Sequence, residues 1–477
     1  MAPKFGTSGL RGLAAELTDA VVADHVAAFL RACPTGAAVH VGRDLRASSP
    51  RIAEAVVAAA RARGVDVVRH GVLPTPALAL AAMGAGAAAV MVTGSHIPAD
   101  RNGLKFYTPG GEIGKADEAA IVAGLGAPVA PGPEGAVHDD GGALARYRDR
   151  YVAAFGAGAL AGLRVGVYEH SSAARDVLGE ILRALGAETV PLGRSEAFVP
   201  VDTEAVEPDT RARLADWAAA HRLSAIVSTD GDGDRPMVAG ADGALVAGDV
   251  LGPVAARLLG ARRVVTPVSS NTLVEAMGAF EVVRTRIGSP YVIAGMEEGG
   301  HPAVVGYEAN GGLLLGFEAQ APAGRIAPLP TRDGVLPILA ALAAARHAGT
   351  DLAGLVGALP RRATATDRLK DVPPERGAAL VAELSGDADR RAAFFAAGAP
   401  EAAVDRTDGL RVTFGNGAIV HLRPSGNAPE FRCQAEADAR DRAEALLRTH
   451  MARAARALRP DAEAGAERGA EGGAGAG

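Results

Sequence analysis

The strongest constraint on this chain is the run at residues 230–235, in which three aspartates alternate with two glycines before an arginine. It follows the β-branched apolar run 223–228, which predicts a buried strand. The carboxylates therefore come just after a strand, at the edge where open α/β sheets bind ligands. Glycines let the backbone turn so that the carboxylates converge, and hard oxygen ligands suit Mg²⁺ or Ca²⁺ rather than Zn²⁺. The run predicts a divalent cation site formed by Asp230, Asp232 and Asp234.

The same run could also be a calcium-binding EF-hand loop or a plain turn. An EF-hand loop needs a glycine at its sixth position and a glutamate at its twelfth. Those positions hold Arg235 and Ala241, so an EF-hand is excluded. A solvated Asp-Gly turn without a ligand stays open as an alternative until the rest of the chain is considered.

Length and composition bound the class of protein. The 477 residues exceed one ordinary core and predict two to four domains. No stretch approaches the roughly 18 uninterrupted apolar residues of a membrane span, and the first residues show no leader pattern, so we expect a cytoplasmic protein without membrane contact. The net charge of −6 argues against nucleic-acid binding through bulk electrostatics. Cys33 and Cys433 are too few and too isolated for a disulfide framework or a zinc cluster, and we expect reduced thiols, with a single bridge between them as the alternative.

Short apolar runs alternate with alanine-rich helical segments, a pattern typical of α/β layers. We expect three α/β domains and a smaller α+β domain, followed by a disordered tail rich in alanine and glycine. Their bounds are 1–150, 151–248, 249–365, 366–460 and 461–477. In the fourth domain, the Gly-Asn-Gly turn at 415–417 predicts a β-hairpin. The Pro/Gly-rich stretch 126–142 contains little that could pack, and we expect a connection there before the first boundary near residue 150. The stretch 351–368 has few strand signals, and we expect it to carry the link to the fourth domain.

A second candidate site is the loop 93–98, which follows the strand-like run 88–92. It presents Ser95 between small residues as a candidate nucleophile or phosphoryl carrier, with His96 and Lys105 as acid–base candidates. Taken alone, the loop is better interpreted as an ordinary Thr-Gly-Ser turn.

The loop 306–312 places Glu308 and Asn310 on a glycine-rich frame. Such groups hydrogen-bond sugar hydroxyls, although an Asn-Gly turn accounts for them equally well. Near the N-terminus, glycines allow Arg11 to approach an anion, and a flexible terminus is the alternative.

The loop 423–432 joins two strand-like runs and could clamp a phosphate. Arg423 has the planar fork that pairs with phosphate, while Ser425, Asn427 and main-chain N–H groups could bind the remaining oxygens. By itself, this loop could equally well be a Pro/Gly turn with an incidental arginine.

Taken together, five motifs in this order resemble the α-D-phosphohexomutase family, which includes phosphomannomutases and phosphoglucomutases. They are Gly-Thr-Ser-Gly-Leu-Arg-Gly at 6–12, Thr-Gly-Ser-His-x-Pro at 93–98 with Asn-Gly-Leu-Lys at 102–105, Asp-Gly-Asp-Gly-Asp-Arg at 230–235, Gly-Tyr-Glu-Ala-Asn-Gly-Gly at 306–312, and Arg-Pro-Ser-Gly-Asn at 423–427. The resemblance spans nearly the whole chain. It implies three related α/β domains and a smaller α+β fourth domain around a central cleft, in agreement with the boundaries above.

The resemblance also implies a mechanism. Ser95 would carry a phosphoryl group, and one of its oxygens would bind Mg²⁺ together with the three aspartates. Phosphoserine 95 would convert a hexose monophosphate into a hexose 1,6-bisphosphate, which turns end for end and returns its other phosphate. Lys105 would be the general base and acid, assisted by Arg11 and His96. The remaining residues would bind the substrate: Arg235, Glu308, Asn310, Arg423, Ser425, Gly426 and Asn427.

This chain differs from many relatives of the family at Ile97 and at the pair Ala309-Asn310. These differences bear on which sugar the enzyme would bind. The segments 95–107, 306–312 and 329–333 are most similar to phosphomannomutases, so we expect a monomeric or homodimeric enzyme that converts mannose 6-phosphate to mannose 1-phosphate. Glucose phosphate differs only at C2 and is the alternative, as is dual specificity. Two further alternatives are a phosphatase and a non-catalytic sugar-phosphate binding protein, because one fold can serve different functions.

Overall fold

The computed structural model describes residues 3–6, 9–128, 133–396, 398–425 and 429–458. The chain divides into two units. The N-terminal unit comprises residues 1–267, 274–283 and 288–359, and the C-terminal unit comprises residues 268–273, 284–287 and 360–477.

The first sheet belongs to the N-terminal unit. Its elements are β1 (Lys4–Phe5), β2 (Leu10–Leu13), α1 (Asp19–Ala32), β3 (Ala38–Arg43), α2 (Ser49–Arg61), β4 (Asp66–Val72), α3 (Thr75–Gly84), β5 (Ala88–Val92), β6 (Arg101–Thr108), β7 (Gly111–Glu112), α4 (Lys115–Ala123), β8 (Val137–Asp139) and α5 (Ala143–Phe155). The strand order is β1-β2-β6-β5-β3-β4-β8, and β7 pairs with β6. Strands β4, β3 and β5 are parallel, whereas β6 is antiparallel to β5.

The second sheet follows α5. Its elements are β9 (Arg164–Tyr168), α6 (Arg175–Ala184), β10 (Glu188–Leu192), α7 (Pro208–His221), β11 (Ala225–Thr229), β12 (Pro236–Ala239) and β13 (Leu245–Val246). The strand order is β10-β9-β11-β12-β13. Strand β9 is parallel to both of its neighbours, and β12 is antiparallel to β11.

The third sheet follows next. Its elements are α8 (Gly248–Leu258), β14 (Arg263–Pro267), α9 (Leu273–Ala276), β15 (Glu281–Thr285), α10 (Ser289–Glu297), β16 (Val304–Tyr307), β17 (Leu313–Leu315), β18 (Ala319–Gln320), β19 (Arg325–Ile326), β20 (Leu329–Asp333), α11 (Val335–His347) and α12 (Leu352–Gly357). The strand order is β15-β14-β16-β17-β20, while β18 and β19 form a separate hairpin. Strand β16 is parallel to β14 and antiparallel to β17.

One strand order recurs in all three sheets: β4-β3-β5-β6, β10-β9-β11-β12 and β15-β14-β16-β17. Within each set, the strand that comes third along the chain is β5, β11 or β16. The next strand along the chain pairs with it in the antiparallel sense. The loops after these three strands are the ones that hold Ser95, the aspartate run 230–235 and Glu308. The shared topology confirms the expected three related α/β domains and puts the three motifs at equivalent positions.

The core of the N-terminal unit connects these strands. Met91 of β5, Val227 of β11 and Val305 of β16 are fully buried members of one continuous apolar cluster. Because close-packed interiors resist displacement, the loops after these strands are held by a common rigid base.

The C-terminal unit contains the α+β domain. Its elements are β21 (Ala363–Lys370), α13 (Pro374–Gly386), α14 (Ala388–Phe395), β22 (Glu401–Asp405), β23 (Leu410–Phe414), β24 (Ile419–Pro424), β25 (Glu430–Ala437) and α15 (Arg440–Leu458). The strand order is β21-β25-β24-β23-β22, and all pairs are antiparallel. The expected hairpin joins β23 to β24, with Gly417 N–H donating to the carbonyl of Phe414 over 2.8 Å.

Two connections expected from the sequence are wrong. Residues 126–142 include β8, which pairs with β4, and residues 351–368 include α12 and most of β21. Both strands lie at sheet edges, where one side of the strand faces solvent and the apolar pattern is weak. In addition, helix α5 runs through the domain boundary expected at residue 150.

Cys33 and Cys433 are both buried and free, as expected. Within the described part of the chain, no helix is both long and apolar enough to cross a membrane. The tail expected to be disordered, residues 461–477, lies outside the described residues.

Candidate active site

Ser95 lies in a turn directly after β5. Its φ of +53° falls in the left-handed region, which is uncommon for a residue other than glycine and is often found at functional sites. The main-chain N–H of Ser95 donates to Thr93 Oγ1 over 2.8 Å. Its hydroxyl donates to Asp230 Oδ2 over 2.6 Å and lies 3.2 Å from His96 Nδ1. The turn therefore brings the candidate nucleophile against the aspartate loop of the second sheet.

Two buried residues that sequence reasoning missed hold this turn. Asp44 accepts from Thr93 Oγ1 over 2.8 Å, and its carboxylate lies 3.2 Å from Arg46 Nε. Burial raises the pKa of Asp44 and lowers that of Arg46. The guanidinium of Arg46 also donates to four main-chain carbonyls, those of Ser95, Ile97, Pro98 and Arg101. A charged pair immediately after the strand β3 was the sequence signal that could have identified them.

The three aspartates lie together after β11 and are fully buried. One carboxylate oxygen from each lies within 4.8 Å of the others. Gly233 has a φ of +81°, and a Cβ added there would lie 2.8 Å from Pro74 Cβ, so this turn requires glycine. Among the described residues, Asp232 Oδ1 and Asp234 Oδ1 have no hydrogen-bond partner. Buried carboxylate oxygens without partners are costly, so this donor set fits a divalent cation.

Lys105, on β6, is paired with two of these aspartates. Its ammonium group donates to Asp232 Oδ2 and to Asp234 Oδ2, both over 2.6 Å. Burial lowers the pKa of Lys105, but the charges of the two carboxylates outweigh it and the pKa is raised. The pKa of Asp230 is raised well above its usual range by burial and by the charges of its two neighbours.

Arg11 and Arg235 supply further positive charge beside His96. Burial and the charges of Arg235 and Arg332 lower the pKa of Arg11 to about 10. Burial, followed by the charges of Arg235 and Arg11, lowers the pKa of His96 far below its ordinary value, so its imidazole is neutral. Mutual repulsion among buried cations is relieved by a bound anion, and this cluster therefore fits a phosphate group.

The loop after β16 contributes Glu308, whose Oε2 accepts from Arg332 Nη1 over 2.8 Å. Arg332, which sequence reasoning did not select, also donates from Nη2 to Asp234 Oδ2 over 2.8 Å. Asn310 Oδ1 accepts from the N–H of Gly312 over 2.9 Å, so this side chain stabilises the turn, as expected of an Asn-Gly turn. The aspartate loop and the candidate sugar loop are thus joined through one arginine.

The structure brings together nine of the residues expected in the site, all in the N-terminal unit: Arg11, Ser95, His96, Lys105, Asp230, Asp232, Asp234, Arg235 and Glu308. In the C-terminal unit, Arg423 lies on β24, and the N–H of Ser425 donates to the carbonyl of Glu430 over 2.8 Å at the end of the hairpin. Gly426 and Asn427 lie outside the described residues. The phosphate clamp at this hairpin therefore stays a prediction.

Comparison with known families gives four matches along the chain. All four are phosphoglucomutase/phosphomannomutase models: alpha/beta/alpha domain I matches residues 2–127, domain II residues 146–243, domain III residues 243–363 and the C-terminal domain residues 373–454. Together they cover most of the sequence.

Similar proteins agree with these matches. A phosphomannomutase from Sinorhizobium fredii is 48% identical over 95% of this chain and 98% of that protein. One from Salmonella muenchen is 41% identical over 93% of this chain and 94% of that protein. The crystal structure of a phosphoglucomutase/phosphomannomutase family protein from Burkholderia thailandensis superposes with a TM-score of 0.76 at 24% identity, covering 95% of this chain and 98% of that one, which shows the same fold.

Proposed function

This chain belongs to the phosphoglucomutase/phosphomannomutase family, and we propose that it interconverts mannose 6-phosphate and mannose 1-phosphate through a phosphoserine at Ser95. It is a phosphohexose mutase, an isomerase that moves phosphate between C6 and C1 of a hexose. The observation that carries the proposed mechanism is the 2.6 Å hydrogen bond from the Ser95 hydroxyl to Asp230, beside Lys105 and a cluster of buried arginines.

The proposed reaction consists of two phosphoryl transfers. In the first, the bond between phosphorus and Ser95 Oγ breaks while a free sugar hydroxyl forms a bond to phosphorus and gives up its proton. Lys105 is the proposed acceptor of that proton, and to act as a base it must first lose the proton that Asp232 and Asp234 stabilise in this structure. The product is a hexose 1,6-bisphosphate, which turns end for end in the site. In the second transfer, Ser95 takes the other phosphoryl group, and the departing sugar oxygen is protonated by Lys105. Each transfer is stabilised mainly by positioning and by charge.

The residues around the site have separate proposed roles in these transfers. Asp230, Asp232 and Asp234, together with a phosphoserine oxygen, would hold Mg²⁺, which when bound stabilises negative charge on the transferring phosphoryl group. Arg11 and the neutral imidazole of His96 would contact the phosphoserine as hydrogen-bond partners. Arg235, Glu308 and Asn310 would bind the substrate, and the hairpin residues Arg423, Ser425, Gly426 and Asn427 would hold its non-reacting phosphate.

Mannose is the proposed sugar because the two relatives compared above, at 48% and 41% identity, are both phosphomannomutases. Glucose phosphate is the second candidate, since the two hexoses differ only in the configuration at C2 and one hydroxyl contact discriminates modestly. Cytoplasmic location and a monomeric or homodimeric state stay predictions.

The test is ³¹P NMR of the purified protein with Mg²⁺ and a trace of glucose 1,6-bisphosphate. Mannose 1-phosphate, glucose 1-phosphate and glucosamine 1-phosphate are offered in separate tubes. We expect a 6-phosphate signal, appearing fastest from mannose 1-phosphate; a faster conversion of either of the remaining two substrates would overturn the proposed sugar. Release of inorganic phosphate alone would indicate a phosphatase, and no change in any tube would favour a binding protein.

A further inference from the structure

Thr75, the first residue of α3 in the first domain, makes two contacts with Asp232 of the second domain. Its N–H donates to the main-chain carbonyl of Asp232 over 2.8 Å, and its hydroxyl donates to Asp232 Oδ2 over 2.6 Å. Both side chains are fully buried, and the two residues are 157 positions apart in the chain. Thr75 therefore holds both the main chain and the side chain of one of the three clustered aspartates.

Helix α3 gives Thr75 a fixed place. Leu78 and Ala82 of this helix are fully buried in the apolar cluster that also contains Met91 of β5 and Val227 of β11. A proline in the first turn restricts the backbone further. A hydroxyl on a packed helix is positioned more precisely than one on a loop, so Thr75 provides a rigid reference point for the aspartate loop.

The residue before Thr75 packs against the same loop. A Cβ added to Gly233 would lie 2.8 Å from Pro74 Cβ, closer than real Cβ contacts allow. Pro74 and Gly233 therefore interlock, and the segment 74–75 limits how far the loop that carries Asp232 can shift.

The contacts of Asp232 leave one of its carboxylate oxygens available. Oδ2 accepts from Thr75 Oγ1 and from Lys105 Nζ, each over 2.6 Å. Oδ1, by contrast, is buried and has no hydrogen-bond partner within the part of the chain that the structure describes. Because both donors bind the same oxygen, they orient the carboxylate with Oδ1 as its free ligand atom for a cation.

Thr75 and Lys105 differ in how constantly they can hold this carboxylate. In the proposed reaction, Lys105 loses a proton, takes one from a sugar hydroxyl and later returns it, so its hydrogen bond to Asp232 changes within each turnover. The hydroxyl of Thr75 exchanges no proton with the substrate in that scheme. Thr75 can therefore keep Asp232 in one orientation while Lys105 changes its protonation state.

We propose that Thr75 is a positioning residue of the metal site, which orients Asp232 so that Oδ1 binds the divalent cation. This inference rests on the proposed function, because it takes the three aspartates as the Mg²⁺ site. Thr75 acts through Asp232, and replacing a side chain that hydrogen-bonds a metal ligand typically weakens metal binding about 10- to 100-fold.

The experiment compares Thr75→Val and Thr75→Ser with the wild-type protein. Valine removes the hydroxyl and keeps the shape of the side chain, whereas serine keeps the hydroxyl and is the matched control. Melting temperatures of chelator-treated protein across a series of Mg²⁺ concentrations give the dissociation constant of Mg²⁺ for each variant. We expect that constant to rise about tenfold in Thr75→Val and to stay within about twofold of the wild-type value in Thr75→Ser.

A merely structural role of Thr75 predicts a different result. It would lower the melting temperature of Thr75→Val in the absence of Mg²⁺ and leave the dissociation constant of Mg²⁺ unchanged, and that outcome would overturn the proposal. An equal rise of the constant in Thr75→Ser would also overturn it, because the hydroxyl would then not be the group responsible. Thr75→Ala removes the same donor and decides the question if Thr75→Val does not fold.

The test is independent of turnover. If the wild-type protein converts no hexose phosphate but its melting temperature rises with Mg²⁺, the proposed function fails, while the ratio of the Mg²⁺ dissociation constants still decides the role of Thr75. If the melting temperature of the wild-type protein does not respond to Mg²⁺, the assignment of the metal site fails and the role of Thr75 fails with it.

Discussion

Arg46 Nη2 donates a hydrogen bond of 2.9 Å to the main-chain carbonyl of Ser95, although the two residues are 49 positions apart in the chain. The same guanidinium lies 3.9 Å from the ring centroid of Phe198, which belongs to the second domain. The left-handed turn at Ser95 is therefore maintained by contacts from two domains, and its geometry does not depend on the local sequence alone.

Replacing Arg46 with alanine should destabilise the protein and lower turnover. The substitution leaves the buried carboxylate of Asp44 without its cation and removes the guanidinium donor from four carbonyls, which should cost about 3–5 kcal/mol of unfolding free energy. Urea unfolding and kcat measure both effects. Arg46→Lys should retain part of the stability because it keeps the charge.

The control for Arg46 is Arg325→Ala, since Arg325 forms an exposed pair with Glu318 and its loss should change stability by less than about 1 kcal/mol. Wild-type stability and kcat in Arg46→Ala would show that the turn at Ser95 is maintained without these contacts.

Substituting Ser95 with alanine should abolish the mutase reaction while the fold is kept. The hydroxyl that donates to Asp230 is the proposed carrier of the phosphoryl group, so turnover should fall to background without it. Mass spectrometry after incubation with glucose 1,6-bisphosphate should show one phosphoryl group on the wild-type protein and none on the variant. Ser195→Ala removes an exposed hydroxyl and is the matched control. Retained turnover in Ser95→Ala would exclude the phosphoserine mechanism.

The central strands were predictable because they are buried on both faces. Strand β5 was expected at residues 88–92 and is observed there, since a continuous apolar run is the pattern of a strand covered on both sides. The edge strands β8 and β21 were missed because half of their residues contact solvent and carry no apolar signal.

The site was predictable where a loop follows a central strand and carries its own chemistry, as with Ser95 and the aspartates. Arg332 could not be found in this way, and Arg46 could be found only as part of a charged pair after β3, without its partners in the turn at Ser95. Arg46 binds main-chain carbonyls, which every residue has and which therefore give no sequence signal. Arg332 binds an aspartate that is 98 positions away in the chain. Only the packing of the three sheets brings such partners together.

The three related domains share one short sequence feature. Ser-Ser pairs at 48–49, 171–172 and 269–270 each follow the first parallel strand of their domain, namely β3, β9 and β14. Two identical residues per repeat are too few to identify a repeat until the strand order aligns them.

The aspartate cluster should bind Mg²⁺ in the folded state and thereby stabilise it. At a concentration about 100 times its dissociation constant, Mg²⁺ should add about 2.7 kcal/mol of unfolding free energy, seen as a rise in the melting temperature of chelator-treated protein. Asp232→Asn should lose most of that rise because it removes a charged ligand beside the unpartnered oxygens.

The control for the metal titration is Asp149→Asn, whose side chain is exposed and pairs with Arg148 on the surface. It should show the wild-type response to Mg²⁺. A melting temperature of the wild-type protein that does not change with Mg²⁺ would contradict the assignment of the cluster as a metal site.

Acid should weaken the fold through the buried pair His40 and His70. The rings are stacked, and His40 Nδ1 lies 2.9 Å from His70 Nε2. Burial, followed by the charge of His70, lowers the pKa of His40 from 6.5 to about 4, while Asp140 near His70 opposes the shift. Because the unfolded chain binds the proton more readily, the stabilisation is complete above pH 6.5 and is lost as the pH falls towards 4.

The stability of the wild-type protein should therefore decrease between pH 6.5 and 4, and His40 contributes at most about 1.4 kcal/mol per pH unit, the value for one proton. Urea unfolding across this range should show a shallower slope for His40→Gln, which removes one of the two imidazoles of the pair. His221→Gln, at the exposed end of α7, should keep the wild-type slope. If His40→Gln loses stability with acid as steeply as the wild-type protein, the acid sensitivity arises elsewhere, either from His70, whose pKa burial also lowers, or from carboxylates that lose their partners on protonation.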